Sequence, residues 1–258
     1  MRVLCRVQIW AIVAICAAMM PAVLASRAAA EESVALAPRA GVTEAMLVDP
    51  SEHATASVLL LPGGSGVLQD VKNNFLLRVR GRFSAAGFNV AVLDAPSDHS
   101  SGMDSNYRAS AEHAQDIAAA IRFLKQKSTV PVWLIGTSRG TVSAANAAVR
   151  LGAKDIAGIV LTSSVWSGGI SLVPIAQIAV PVLVVHNRDD GCRESPYLGV
   201  GAGMDALKAA PAKELITVSG GNSRGSPCGG QSTHGFFGIE DQVVPPIIAW
   251  IKGRSTPR

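Results

Sequence analysis

The run Pro131-Val132-Trp133-Leu134-Ile135-Gly136-Thr137-Ser138-Arg139-Gly140-Thr141-Val142-Ser143-Ala144-Ala145-Asn146-Ala147-Ala148 decides how this chain folds. Its first five residues are apolar, β-branched or aromatic, as a buried strand requires, and its tail of small residues predicts a helix. The hinge between them is Gly-x-Ser-x-Gly. A strand that reverses directly into a helix brings positions 136 and 140 together and leaves no room there for Cβ atoms, so the glycines push Ser138 to the tip of a sharp turn. The same turn puts the backbone N–H of Arg139 at a helix N-terminus, where donors lack intrahelical partners and developing negative charge is favoured. The stretch therefore supplies a candidate nucleophile and half of an oxyanion site.

A second match to the pattern, Gly221-Asn222-Ser223-Arg224-Gly225, follows a strand over Leu215 to Val218. It runs into Ser226-Pro227-Cys228-Gly229-Gly230, which cannot start a helix. Ser223 is read as a loop residue.

Outward from Ser138, strands and helices alternate. Val34 to Leu36 and Thr43 to Val48 read as a hairpin, and Ala56 to Leu61 is a near-continuous apolar run of the kind covered on both faces, ending in Pro62-Gly63-Gly64-Ser65-Gly66. A helix follows over Asn74 to Ala86, with Leu76, Val79 and Phe83 on one face and Arg78, Arg80 and Arg82 on the solvated side. Asn89 to Leu93 is a strand, Asp94 to Gly102 a loop long enough to carry function, and Ser110 to Lys127 a helix in which His113 sits at the core boundary. Beyond Ser138, Ile156 to Leu161 and Val180 to Val185 read as strands. Ala202 to Ala209 is a helix, Leu215 to Val218 the last strand, and Val243 to Lys252 a closing helix with Pro245 and Pro246 in its first turn. This alternation predicts an α/β architecture, a doubly wound, mostly parallel sheet flanked by helices, with ligands at the carboxyl ends of the strands.

At 258 residues and 48% apolar content the chain can bury one sizeable core, and it shows no internal repeat. Residues 1–30 have the layout of a secretory signal peptide: a basic head with Arg2 and Arg6, an apolar stretch over Val7 to Met20, and small residues at Ala28-Ala29-Ala30, with cleavage after Ala30 or Ala25. Residues 31–258 then form the mature domain, exported to a periplasm or secreted. The apolar stretch is shorter than the ~20 residues a membrane span needs, so no stable span is expected after cleavage. Losing Arg2, Arg6 and Arg27 lowers the formal net charge from +4 to +1, so the basic balance implies no nucleic-acid partner. Cys5 and Cys16 leave with the leader. The remaining pair, Cys192 and Cys228, is expected to form a disulfide in an oxidising compartment, worth roughly 3–4 kcal/mol in the loop-entropy model.

A serine hydroxyl is a poor nucleophile until a neighbouring imidazole accepts its proton, and the imidazole works best when a carboxylate fixes its tautomer. His234, between the last strand and the last helix, is the candidate base. The run Val184-Val185-His186-Asn187-Arg188-Asp189-Asp190 offers two carboxylates at a strand end. The order of serine, acid and histidine, with a glycine-rich loop earlier in the chain, resembles the α/β-hydrolase superfamily, in the compact, lidless form of serine esterases and dienelactone hydrolases. The resemblance implies the α/β-hydrolase fold, with a triad of Ser138, Asp190 and His234. It gives Gly64, in the Pro62-Gly63-Gly64 loop, or else the adjoining Ser65, the second oxyanion N–H beside that of Arg139, and makes His186 a structural strand-end histidine. Asn187 stands where the family usually has glycine.

The link between the strands ending at Leu161 and starting at Val180 is too short for a large cap domain, so an open site is expected, with Ser65, His99 and Trp166 as candidate pocket residues. His53 has no supporting context. The reaction expected is hydrolysis of a small-molecule or polymer-end ester through an acyl-enzyme, with no metal and no organic cofactor. A thioesterase, peptidase or acyltransferase could use the same apparatus, and a non-catalytic binding protein could use the same scaffold.

Overall fold

The computed structural model describes residues 32–255. The leader expected over residues 1–30, with Cys5 and Cys16, lies outside them. Strands β1 (Glu32–Arg39) and β2 (Val42–Asp49) form an antiparallel hairpin, and β2 lies antiparallel against β4 (Phe88–Pro96). From there β3 (Ala56–Leu61), β5 (Val132–Thr137), β6 (Gly158–Thr162), β7 (Val182–Asn187) and β8 (Lys213–Val218) continue the sheet in parallel. The spatial order is β1-β2-β4-β3-β5-β6-β7-β8, so the chain winds outward in both directions from β3 and β5.

Every residue of β3, β5, β6 and β7 is buried, because both faces of the sheet are covered. Alternate side chains sort onto opposite faces. Leu59, Leu134, Leu161 and Val184 pack with Ile117, Ile121 and Leu124 of α3 (Ala111–Lys127) and with Val142 and Ala145 of α4 (Gly140–Leu151). Val58, Ile135, Val160 and Val185 pack with Leu76, Val79 and Phe83 of α1 (Phe75–Ala85) and with Val243, Ile247 and Ile251 of α6 (Glu240–Ser255). Each large apolar side chain buried this way contributes roughly 1.5–3 kcal/mol before entropy is set against it.

Four local features depart from the sequence reading. A one-turn helix, α2 (Ser105–Arg108), is capped by Asp104 in the loop after β4. The helix expected over Ala202 to Ala209 is α5 (Val200–Ala206), preceded by a 3-10 turn at Tyr197–Gly199. The closing helix begins at Glu240, which leaves Pro245 and Pro246 inside it; Glu240 and Asp241 supply the negative charge that a helix start favours. Arg78 does not face solvent: it donates to the carbonyls of Gly230 and Gly235 and pairs with Glu240, while Arg80 lies beside Asp49 and Arg82 pairs with Asp241.

The β6 to β7 link holds only two 3-10 turns, Ile170–Leu172 and Ile175–Gln177, and no large cap domain. No helix among the described residues is long and apolar enough to cross a membrane.

Candidate active site

Ser138 occupies the turn between β5 and α4 with φ at 53°, the left-handed region that side chains with a Cβ avoid at a cost of about 1–2 kcal/mol. The glycines around it leave no alternative. A Cβ at Gly136 would stand 2.4 Å from the Gly140 carbonyl oxygen, and one at Gly140 would stand 1.9 Å from the carbonyl oxygen of Leu61. Gly63, in the loop after β3, comes so close that a Cβ there would lie 2.7 Å from that of Ser138. Among the described residues only two other non-glycine positions have positive φ, Ser163 and Phe236. Ser163 follows β6 and donates to the His234 carbonyl at 2.6 Å, and Phe236 closes the 3-10 turn Thr233–Gly235 that carries His234. Backbone strain is thus gathered around one rim of the sheet.

A cavity of about 210 Å³ opens at that rim, lined by Gly64, Thr137, Ser138, His234 and Gly235, by Cys228 to Gly230, and by Asp70, Val71, Asn73, Asn74 and Phe75. His234 is 4% exposed. Its Nδ1 lies 2.9 Å from Asp190 Oδ2 and 3.2 Å from Oδ1, whereas its Nε2 is buried and has no hydrogen-bond partner among the described residues. Asp189 points elsewhere: its carboxylate accepts from Gly220 N–H at 2.7 Å.

Asp190 is enclosed. Cys192 N–H donates to Oδ1 at 2.9 Å, Ser195 Oγ donates to Oδ2 at 2.9 Å, and His186 Nε2 lies 3.3 Å from Oδ2 while donating to the Ser195 carbonyl. Burial pushes the Asp190 carboxyl up, but the close approach of His186 and the hydrogen bonds from His234 and the Cys192 amide outweigh it and hold the group well below the ordinary carboxylate range. An ionised carboxylate only accepts, so Nδ1 of His234 carries a proton and donates it to Asp190. Ser195 Oγ, 2.9 Å from that Nδ1, has its hydrogen committed to Asp190 and can accept from the ring.

Asn187, the departure from glycine in the acid loop, is fully buried. Its amide donates to the carbonyls of Gly220 and Thr233 at 3.0 Å each, and its Oδ1 accepts from Asp189 N–H, so it ties the acid loop to the loop carrying His234. Cys192 and Cys228 form a disulfide between the same two loops. Among the described residues neither the Gly64 N–H nor the Arg139 N–H reaches a protein acceptor. The Arg139 side chain turns outward to Glu194.

Three expected pocket residues do not line the cavity. Trp166 lies flat against α5, so close that a Cβ at Gly203 would be 2.4 Å from its ring. His99 stacks on Tyr107 with ring centroids 3.5 Å apart and its Nδ1 3.3 Å from Asp98. Ser65 turns away to donate to Asp70, itself a wall residue. The walls come instead from Asp70, Val71, Asn73, Asn74 and Phe75, at the start of α1 and before it, and from Cys228 to Gly230. Sequence reasoning also missed Arg78, Ser163 and Ser195; their partners are mostly backbone atoms or buried groups brought together only by the fold. Among the described residues no group of three or more His, Cys, Asp or Glu side chains is arranged to hold a metal ion.

No protein-family model matches the sequence, and no curated protein is significantly similar to it. Solved structures are similar in fold. An esterase from Pyrococcus furiosus superposes with a TM-score of 0.68 at 14% identity, covering 88% of this chain and 92% of its own. Dienelactone hydrolase from Anabaena variabilis gives 0.65 at 16%, covering 88% and 99%. Est1E from Butyrivibrio proteoclasticus gives 0.60 at 14%, covering 86% and 98%. With its strand order, its turn at Ser138 and these likenesses, the chain has the α/β-hydrolase fold.

Proposed function

We propose that this chain is an exported serine hydrolase that cleaves carboxylic esters through an acyl-enzyme. The observation that carries the reading is at His234: one ring nitrogen is held by a buried, ionised Asp190, and the other, without a partner, belongs to the wall of the cavity that Ser138 also lines. In this reading Ser138 Oγ attacks the ester carbonyl while His234 Nε2 takes its proton, and Asp190 stabilises the imidazolium. The N–H groups of Gly64 and Arg139 hold the oxyanion. Collapse breaks the C–O bond, the alcohol leaves with the proton from His234, and water repeats the sequence on the acyl-enzyme. The scheme requires neither metal nor organic cofactor. Export is supported by the leader-like start of the sequence and by the Cys192–Cys228 disulfide.

The site favours a short acyl group. Its volume is below the roughly 300–1,000 Å³ of pockets that enclose drug-sized ligands, and Asp70, Asn73 and Asn74 make its wall polar. A fluorophosphonate probe on the purified mature protein tests the reading: it is expected to label the parent and S223A but not S138A. A parent that is neither labelled nor active on a panel of oxygen esters and thioesters of graded acyl length would overturn it.

A further inference from the structure

Arg108, the last residue of α2, is 1% exposed, and among the described residues no carboxylate pairs with it. Its guanidinium donates instead to three neutral oxygens: the Gly64 carbonyl at 3.3 Å, Ser143 Oγ at 3.0 Å and the Met103 carbonyl at 3.4 Å. An uncompensated buried cation lowers stability, so an apolar side chain of similar length would suit this place better if packing were the only requirement. Burial, with repulsion from Arg139, pushes the guanidinium down to about 9, so it still carries its charge at neutral pH.

Its partners show what it holds. Gly63 to Gly66 is a tight turn closed by Gly66 N–H donating to the Gly63 carbonyl at 3.2 Å, and the Ser65 carbonyl accepts from Met103 N–H at 2.8 Å. Because the Gly63–Gly64 peptide is planar and trans, a Gly63 carbonyl directed at Gly66 sends the Gly64 N–H the opposite way, out of the turn. The Gly64 carbonyl is the remaining free handle, and Arg108 occupies it. Arg108 is in turn mounted on α4, the helix that begins beside Ser138. Ser143 fixes its guanidinium and is itself 2.8 Å from His113 Nε2, while Asn146 donates to the Arg108 carbonyl at 3.1 Å.

We propose that Arg108 is a positioning residue for the oxyanion site: it ties the Gly63–Gly66 turn to the helix of the nucleophile, and its buried charge favours the negative charge that develops beside Gly64. The inference rests on the serine-hydrolase reading above. Arg108 does not line the Ser138 cavity; it acts through the direction of the Gly64 N–H and through its field, both of which matter most in the transition state.

The test compares R108M, R108K and S143A with the parent for kcat and KM on a short-chain ester, for inhibition by a trifluoromethyl ketone whose serine adduct carries an oxyanion, and for Tm. R108M is expected to melt no lower than the parent, to lose kcat by about 10- to 100-fold, and to weaken the ketone by a similar factor. KM is expected to stay within about twofold. R108K, which keeps the charge without the planar fork, recovers part of the loss, and S143A loses kcat in the same direction by a smaller factor. A folded R108M with parental kcat and parental ketone affinity overturns the proposal. If R108M instead unfolds, S143A and R108K decide: ketone affinity unchanged in both overturns it, and weakened affinity with an unchanged Tm upholds it. A parent that hydrolyses no ester and takes no fluorophosphonate removes the hydrolase reading and this inference together, a result distinct from an active parent with an equally active R108M.

Discussion

Ser163, at the end of β6, donates its hydroxyl hydrogen to the backbone carbonyl of His234 across 2.6 Å, and both residues are buried. The bond anchors the loop carrying the imidazole to the rim of the sheet, next to the strand that leads into Ser138. Its cost is a left-handed backbone at Ser163, with φ at 47°.

Replacing Ser163 by alanine therefore deprives a buried carbonyl of its donor and keeps the strain. S163A is expected to lose about 1–3 kcal/mol of stability. It should also lose about tenfold or more in kcat with little change in KM, because the loop carrying the imidazole shifts while the rest of the cavity wall stays in place. S163G relieves the backbone and should recover part of the melting temperature without recovering kcat. Thermal melts and ester turnover on the two variants separate strain from anchoring.

Asp190 makes the stability of the fold depend on pH. Burial raises its carboxyl and the contacts with His186, His234 and the Cys192 amide lower it further than burial raises it, so its folded value lies below the ordinary carboxylate value of about 3.9. The stability this group contributes is complete above that ordinary value and is lost as pH falls through the folded one. D190N removes the charge: its melting temperature should change less steeply than the parent's as pH is lowered below about 4. At neutral pH its kcat should fall by about 10³-fold or more, since the amide no longer fixes the Nδ1–H tautomer of His234.

The disulfide joins the loop two residues past Asp190 to the segment Cys228 to Gly230 that forms a cavity wall. The double variant C192A/C228A avoids leaving a stray thiol. It should lose roughly 3–4 kcal/mol by the loop-entropy estimate for a separation of 36 residues. It should also raise KM, because the segment it frees lines the Ser138 cavity. Dithiothreitol treatment of the parent should reproduce both effects; a reduced protein with parental Tm and KM would refute the assignment.

The parts of the fold that could be read from sequence are those written in local patterns. The apolar run Ala56 to Leu61, the strand, turn and helix around Ser138, and the stripe Ile117, Ile121, Leu124 declare their burial within a few residues. Arg78 could not be read that way. It alternates with Arg80 and Arg82 as a solvated face would, and the carbonyls it serves lie 152 and 157 residues further along the chain. Ser195 sits between Glu194 and Pro196 with no period to mark it, and its role as a bridge between Asp190 and His234 exists only after β7 and the 233–235 turn converge. Trp166 misled for the converse reason. An aromatic ring near a strand end suggests a pocket wall, but Gly199 and Gly203 on a distant segment leave a slot that the ring fills.

Glu44 lies on β2, next to the parallel part of the sheet. It is 2% exposed, and neither carboxyl oxygen has a hydrogen-bond partner among the described residues. Burial, reinforced by the nearby charge of Asp116, pushes it from 4.5 to about 9, against the opposing pull of Arg39. The folded state thus keeps a proton that the unfolded chain releases, so stability falls as pH rises from about 4.5 toward 9 and levels off once both states are ionised. E44Q keeps the shape and cannot ionise. Its melting temperature should match the parent's most closely near pH 4.5, exceed it by an increasing margin up to about pH 9, and keep that margin above. Ester turnover should be unaffected at neutral pH, where Glu44 is protonated and makes no contact with the Ser138 cavity. Melts of both proteins across that range decide the matter: a margin that does not grow with pH would mean that Glu44 is ionised in the folded protein.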